Sequence, residues 1–442
     1  MKIRMYNVGF GECIKLQEGK NTLLIDCGSE LPNKKTKNGI KRDEVFCKIA
    51  EDIGFFQPNG HLDAMISHFH NDHINGFYWL EQQRTHCFNR IFIPDVFSIK
   101  NHPNVVDILF LEEILRRFLF PNHPSVTLWD FLALLIQNSE DIALLSRGKN
   151  AFEFANNQFD VLWPTKTVDP IDWPIYTTKK QLDFFTMKQE FSELERNEIY
   201  KQSDAICHAV NNYISFDKTE QSVDGGIVQT LSSTNYLVDS LVETLSNKEN
   251  NKEQYDLFDE KRDSQRRPKD KTPQKGYIYR QYYQMLKSKA NQYSLVCQSN
   301  CSGKPVLFTG DIEANTLSII LWNKDHLVPL YTDFYAIKAP HHGTHSDKGK
   351  HGKHFFNFPA YGISSTYVLI SNGCTTAPDQ KRGEISECYV TELGSIILCT
   401  NTEQKRCDFW KKHKNPCVFH CLKCQSDPKG SADCTGCLDI TI

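Results

Sequence analysis

The sequence predicts a mixed α/β (α+β) protein whose chemistry gathers at strand ends, followed by a small cysteine-rich tail. Three observations predict it. Short apolar runs bounded by turn residues alternate with helical patterns, which indicates layered sheets and helices. Three of those runs end in metal-ligating residue types. Leu62–Ser67 leads into His68-Phe69-His70-Asn71-Asp72-His73, Leu307-Phe308-Thr309 into Gly310-Asp311, and Ala336–Ala339 into Pro340-His341-His342-Gly343. Of 16 cysteines, seven follow residue 398.

Composition bounds the class. The chain has 442 residues, 40% hydrophobic and 24% charged, with a formal net charge of −3. This is a globular composition, and bulk charge makes no case for nucleic-acid binding. The N-terminus alternates like a strand and lacks the apolar core of a signal peptide. No window reaches 18 uninterrupted apolar residues, so no membrane span is expected. The expectation is a cytoplasmic protein, whose cysteines are thiols and metal ligands before disulfides.

Strands are expected at Lys2–Val8, Cys13–Gln17 and Asn21–Asp26. Leu23-Leu24-Ile25 is continuous, as in a strand buried on both faces, and ends at Asp26-Cys27-Gly28. A helix follows over Val45–Ile53, a strand over Leu62–Ser67, a helix over Ile74–Gln83 and a strand over Arg90–Pro94. Residues 105–147 carry long helical patterns, and Phe159–Trp163 is a strand. Helices are read at Gln181–Tyr200 and Ser232–Leu245. Residues 246–275 are dense in both charges and poor in apolar groups, the composition of a mobile linker. Strands return at Tyr293–Gln298, Pro305–Thr309, Tyr335–Lys338, Tyr367–Ser371 and Ser395–Cys399. No internal repeat is evident.

His68, His70, Asp72 and His73 place three imidazoles and a carboxylate within six residues, just after a buried strand. Imidazole suits zinc, manganese or iron, and the carboxylate compensates charge. One short loop of this kind can feed two adjacent metals. Asp311 at a strand tip can bridge them, and the His341-His342 turn adds a further imidazole. At the other end of the chain, Cys421-x-x-Cys424 and Cys434-x-x-Cys437 have the spacing of a tetrahedral structural zinc site.

These motifs in this order resemble the metallo-β-lactamase superfamily. Val8-Gly9-Phe10-Gly11-Glu12-Cys13, Asn291-Gln292-Tyr293-Ser294-Leu295-Val296 and Lys338-Ala339-Pro340-His341-His342-Gly343 narrow the resemblance to its competence-type (ComEC-like) branch. The similarity covers roughly residues 1–95, 155–165 and 290–400. It implies a four-layer αββα sandwich with two divalent metal ions (Zn or Mn) at one edge, and hydrolysis by a metal-bound hydroxide. In that reading His68, His70, Asp72, His73, Asp311 and His341 hold the metals, with His341 preferred to His342. Asp72 and Asp311 are the catalytic carboxylates, and Asp26 supports the metal loop. Lys338, His342, Thr344 and Ser346 contact a phosphate. The sequence departs from the family at three places. No mid-chain histidine has a matching context (His123 and His208 are the central candidates), Thr375-Thr376-Ala377-Pro378 stands where a Gly-His-Pro is usual, and Glu12 replaces an aspartate.

The expected organisation is a first half of the metallo-β-lactamase domain over 1–164 and a mostly helical insertion over 165–290, with its charged linker at 246–275. The second half follows over 291–406, and a cysteine-rich zinc module over 407–442. The expected function is a phosphodiesterase or nuclease acting on nucleic acid or another phosphodiester. The alternatives are a small-molecule hydrolase of thioesterase or lactonase type, and an effector or regulatory subunit of a bacterial defence-type assembly. In the latter, protein partners would dock on the insertion and tail.

Overall fold

The computed structural model describes residues 1–31, 41–56, 61–98, 104–121, 126–139, 141–166, 190–215, 223–260, 277–322, 328–343, 358–371, 393–400 and 438–442. The chain divides into two compact units, residues 1–95, 134–175 and 291–442 in the first and residues 96–133 and 176–290 in the second. The helical unit thus draws on two stretches of chain, one of them upstream of the insertion expected over 165–290. No helix among the described residues is long and apolar enough to cross a membrane.

The first unit holds two seven-stranded sheets. The first contains β1 (Lys2–Met5), β2 (Cys13–Glu18), β3 (Asn21–Cys27), β4 (His61–Met65), β5 (Ile91–Pro94), β6 (Ile142–Leu145) and β14 (Leu438–Thr441), in the order β14-β1-β2-β3-β4-β5-β6. The second contains β7 (Gly148–Phe154), β8 (Asn157–Trp163), β9 (Val296–Cys301), β10 (Lys304–Phe308), β11 (Asp333–Lys338), β12 (Ser364–Ile370) and β13 (Ile396–Cys399), in the order β13-β12-β11-β10-β9-β8-β7. Each sheet is antiparallel in one half and parallel in the other; β3 to β6 run parallel in the first, β10 to β13 in the second. β3 and β5 are buried along almost their whole length, as expected of parallel strands covered on both faces.

One hydrophobic core joins the sheets. Ile14, Leu23, Ile25, Met65 and Phe92 from the first meet Phe152, Phe159, Val306, Phe308 and Ala336 from the second. Phe152 and Phe159 stack across the β7–β8 hairpin with ring centroids 4.6 Å apart. Two helices belong to the first sheet's side, α1 (Arg42–Asp52) and α2 (Asn71–Gln83). α2 packs on β3, and Gly76 allows it: a Cβ there would lie 2.4 Å from Cys27 Sγ.

The second unit is helical in its described residues. It contains α3 (Val105–Leu119), α5 (Glu193–Ser215) and α6 (Val223–Glu260), with α4 (Leu128–Asn138) and α7 (Tyr277–Asn291) at its chain boundaries. α3 packs against both α5 and α6. Arg117 on α3 bonds Glu113 one turn back and Asp239 and Asn235 on α6. Later in the first unit, α8 (Ala314–Trp322) follows β10.

Three expectations need correction. α6 continues to Glu260, so the first half of the charged stretch at 246–275 is helix; residues 261–276 lie outside the described residues. Residues 142–154 form β6 and β7 where part of the segment reads as helix. Most unexpectedly, Leu438–Thr441, placed by sequence in the cysteine-rich module, is an edge strand paired antiparallel with β1. Its alternation explains this, since Leu438 and Ile442 join the inter-sheet core while Asp439 accepts two bonds from Arg4, at 2.6 and 2.8 Å. The module's cysteines, Cys421, Cys424, Cys434 and Cys437, lie outside the described residues.

Two stability predictions follow from the packing. Leu438 is 3% exposed, so Leu438→Ala should cost about 2–5 kcal/mol, read as a lower midpoint in urea unfolding. Glu81, in α2, is buried beside Cys87, whose thiol donates to Oε1 at 2.9 Å. Burial pushes the Glu81 carboxyl up from 4.5 to about 7. Its contribution is full below about 4.5 and is lost as pH rises through about 7. Unfolding at pH 5 and pH 8 should show that loss in the wild type and a flatter profile in Glu81→Gln.

Candidate metal centre

The centre forms where the C-terminal ends of parallel strands from both sheets meet. Asp26 stands next to the end of β3 at Cys27, and β4 ends at Met65, from which the chain leads through Ser67 into His68. β10 continues into Gly310-Asp311, and β11 ends at Lys338, just before the turn at Pro340–Gly343. Ligands gather outside the carboxyl ends of such strands because loops there are free to project side chains.

Asp26 sits behind the 68–73 loop, fully buried. Its Oδ1 accepts the Ser67 backbone N–H at 2.7 Å, and its Oδ2 accepts the Ser67 hydroxyl at 2.6 Å and His73 Nδ1–H at 2.8 Å. A carboxylate can only accept here, so His73 presents Nε2 to the interior. Asp26 has φ of 52° and His341 and His342 have 50° and 55°, the left-handed region that side chains other than glycine seldom occupy. Such conformations cluster at sites whose geometry the surrounding fold over-determines.

The loop is pressed closely against its neighbours. A Cβ on Gly28 would lie 2.1 Å from the carbonyl carbon of Asp72, so only glycine admits this approach. Gly310 is equally confined, with φ of 53° and a virtual Cβ 2.8 Å from Ser294 Cβ. The Asn291–Leu295 segment ties these pieces together. Leu295 N–H donates to Ser67 O at 2.7 Å, Ser294 Oγ accepts from Asp311 N–H at 3.2 Å, and Asn291 Nδ2 lies 3.2 Å from His341 Nδ1.

Glu12, His73, Asp311 and His342 form a buried group that could hold a metal ion, their ligand atoms all within 4.8 Å of one another. His342 Nε2 is 3.2 Å from Asp311 Oδ2 and 3.4 Å from Asp72 Oδ2. His342 Nδ1 is 3.1 Å from the Ser371 carbonyl; a carbonyl only accepts, so this nitrogen donates and Nε2 faces inward. His73 Nε2 stands 3.4 Å from Asp311 Oδ2, too long for a well-formed hydrogen bond. Two imidazoles and two carboxylates, with Nε2 of His73 buried and poorly satisfied, suit a first-row divalent cation.

Electrostatics agree with that fit. Burial works against charge on His73, but Asp311 and Asp26 outweigh it and hold its pKa well above the ordinary value. His342 is raised in the same way, mainly by Asp311 against burial. Burial alone would raise Asp311, yet His342, Lys338 and His73 hold it well below the carboxylate range. The pull that favours a proton on these nitrogens is the pull that favours a cation among them.

The placement of the expected site residues is uneven. His68 lies beside the group, its ring centroid 4.0 Å from that of His73, and its Nε2 is 3.0 Å from His70 Nδ1. Burial, with His73 and His70 nearby, holds the His68 pKa well below the ordinary value. Asp72 opens the first turn of α2 and touches the group through His342. Of the two histidines of the 341–342 turn, the second lies in the group, where the first was the expected metal ligand. His342, expected to contact phosphate, belongs to the group of four. His341 is 3.7 Å from Asp311 Oδ2 and 23% exposed. The reason is the turn, which rotates the second imidazole inward.

Lys338 is a second correction. It is 1% exposed, its ammonium is held by Glu12, Asp311 and the Gly310 carbonyl, and it therefore does not reach a bound phosphate. Thr344 and Ser346 lie outside the described residues, as does His123. His208 is in α5, in the helical unit. Glu12 is the site residue that sequence reading passes over; its position in the Gly9–Cys13 opening was the available signal.

A cleft of about 590 Å³ lies at the opposite end of the strands, beside Asn21 and His61. Arg90 closes on Asp63 there at 2.6 Å, so its charges largely cancel. The group that could hold a metal ion is the buried one around Asp311.

No family model matches the chain, and no curated protein matches it.

Asp26→Asn should leave the fold intact and weaken metal affinity about 10–100-fold, because the loss falls on a partner that orients a ligand. Isothermal titration with Mn²⁺, alongside circular dichroism, measures both.

Proposed function

We propose that this protein is a metal-dependent hydrolase of the metallo-β-lactamase type, cleaving phosphodiesters. One observation carries the reading. Ligands expected from three separated strand ends, His73, Asp311 and the 341–342 turn, meet in one buried group with ligand atoms within 4.8 Å. The two sheets with a common core agree with a sandwich of that family.

Glu12, His73, Asp311 and His342 would hold a divalent cation, with His68 and His70 the nearest residues for a second. A cation held there would supply Lewis acidity, which makes water acidic near neutrality and stabilises charge on substrate oxygens. The chain's own groups set the geometry. Asp26 and the Ser371 carbonyl fix which nitrogen His73 and His342 present. Asp72, 3.4 Å from His342 Nε2, is placed to orient a water and accept its proton. His341, partly exposed at the edge of the group, is placed to meet substrate.

A small-molecule ester, thioester or lactone is the second reading, and the burial of Lys338 favours it. That side chain was the expected phosphate contact, and inside the protein it offers a phosphate nothing.

The test is direct. The full chain, loaded with Mn²⁺ or Zn²⁺, is assayed on single- and double-stranded DNA, RNA, a chromogenic phosphodiester, a thioester and a lactone. Phosphodiester turnover is expected, and combining His68→Ala with Asp311→Ala should abolish it. Turnover of only the thioester or lactone would select the second reading. A folded, metal-loaded protein inert on all six would overturn both.

A further inference from the structure

The centre contains a cation of the chain's own. Lys338 Nζ lies 2.7 Å from Glu12 Oε2 and 3.1 Å from Asp311 Oδ1, and donates to the Gly310 carbonyl at 2.7 Å. The ammonium thus hydrogen-bonds the Gly310 carbonyl and Asp311 Oδ1 and makes an ion pair with Glu12. The Lys338 backbone is pinned as well, its carbonyl accepting from Thr309 Oγ1 at 2.8 Å. Lys338 and Glu12 are each 1% exposed. Glu12 is anchored on both sides of its own peptide, donating to Asp72 O at 3.0 Å and accepting from Gly28 N–H at 2.8 Å.

This arrangement divides Asp311. Its Oδ1 faces the ammonium, while its Oδ2 faces the imidazoles of His342, His73 and His341, at 3.2, 3.4 and 3.7 Å. We propose that Lys338 serves as the second cation of this centre, so that the chain holds one divalent ion tightly, among Glu12, His73, Asp311 and His342, and any second ion at least about 100-fold more weakly. The proposal rests on the reading that this group takes a divalent cation, and adds how many it takes and why.

Charge balance supplies the reason. Glu12, Asp26, Asp72 and Asp311 bring four negative charges to the buried cluster, and Lys338 brings one positive. With the histidines neutral as ligands, one divalent ion brings the balance close to zero from the negative side. A second ion would carry it past zero inside a site where water screens little, against a fixed ammonium a few ångströms away. The ammonium is held in place, because its partners Gly310, Asp311 and Glu12 are buried with it. A second divalent ion bridged to the first by Asp311 would need Oδ1 free, and Lys338 occupies it.

Mn²⁺ is the probe, because it binds oxygen and nitrogen donors and has little affinity for the thiolates of the cysteine-rich tail. The metal-stripped full chain is titrated with MnCl₂ while bound ion is counted and its electron paramagnetic resonance recorded. One tight equivalent with an uncoupled six-line spectrum is expected in the wild type. Lys338→Met should admit two equivalents with a coupled multi-line spectrum, and Lys338→Arg, which keeps the charge, should stay at one. Two tight, coupled equivalents in the wild type would overturn the proposal whether or not Lys338→Met folds. So would a folded Lys338→Met that still binds one. Failure of the hydrolase reading is separately visible, as one tight equivalent without turnover. A wild-type chain with no tight Mn²⁺ site overturns both.

Discussion

Asp26 is the constraint on which the centre depends. A buried carboxylate is costly unless its oxygens are satisfied, and both of these are, by donors that come from different elements. Its two oxygens hold the end of β4 through Ser67 and the first turn of α2 through His73. The end of β3 therefore dictates where the histidine loop turns, and which nitrogen of His73 faces inward. Gly28, two residues on, lets the same strand end lie against the Asp72 backbone without a clash. The ligand loop is thus shaped from behind by β3 before any cation is considered.

The sheets explain why the ligands meet. Each has a parallel half, and the two parallel halves present their carboxyl ends at the same edge of a common core. Asp26 and the 68–73 loop come from one sheet, Asp311 and His342 from the other. The antiparallel halves have a different task. They allow tight turns, as at Ala155-Asn156, where both residues have positive φ, and they let the chain's last strand close against its first. The candidate metal site and the pairing of β14 with β1 thus lie in different halves of the sheets.

Much of this was legible in the amino-acid order, and the exceptions have physical causes. Leu23-Leu24-Ile25 and Leu307-Phe308 read as strands because parallel strands covered on both faces must be apolar throughout. The 68–73 loop was legible because its ligands are adjacent in the chain. The β7–β8 hairpin was not, since its turn is Ala-Asn and lacks the Asn-Gly or Asp-Gly dipeptide that marks such turns. β14 was hidden because its short alternation, Leu-Asp-Ile-Thr, follows directly on a cysteine pattern that invites a different explanation. The fate of Lys338 could not be read at all. A lysine at a strand end is ordinarily solvated, and this one is buried only because Glu12, more than three hundred positions earlier, meets it. Likewise, the choice between His341 and His342 depends on the rotation of a single turn, which neighbouring identical residues do not reveal.

The helical unit has a consequence for anyone trimming this chain. It is woven from two separate excursions, one between β5 and β6 and the other between β8 and β9. α3, from the first excursion, packs against α5 and α6, from the second, and its residues Val105 to Leu115 are buried. Excising only residues 176–290 would remove both helices that α3 packs against and expose its apolar side chains. A fragment limited to the two sheets has to lose both excursions together, with each gap bridged by its own short splice.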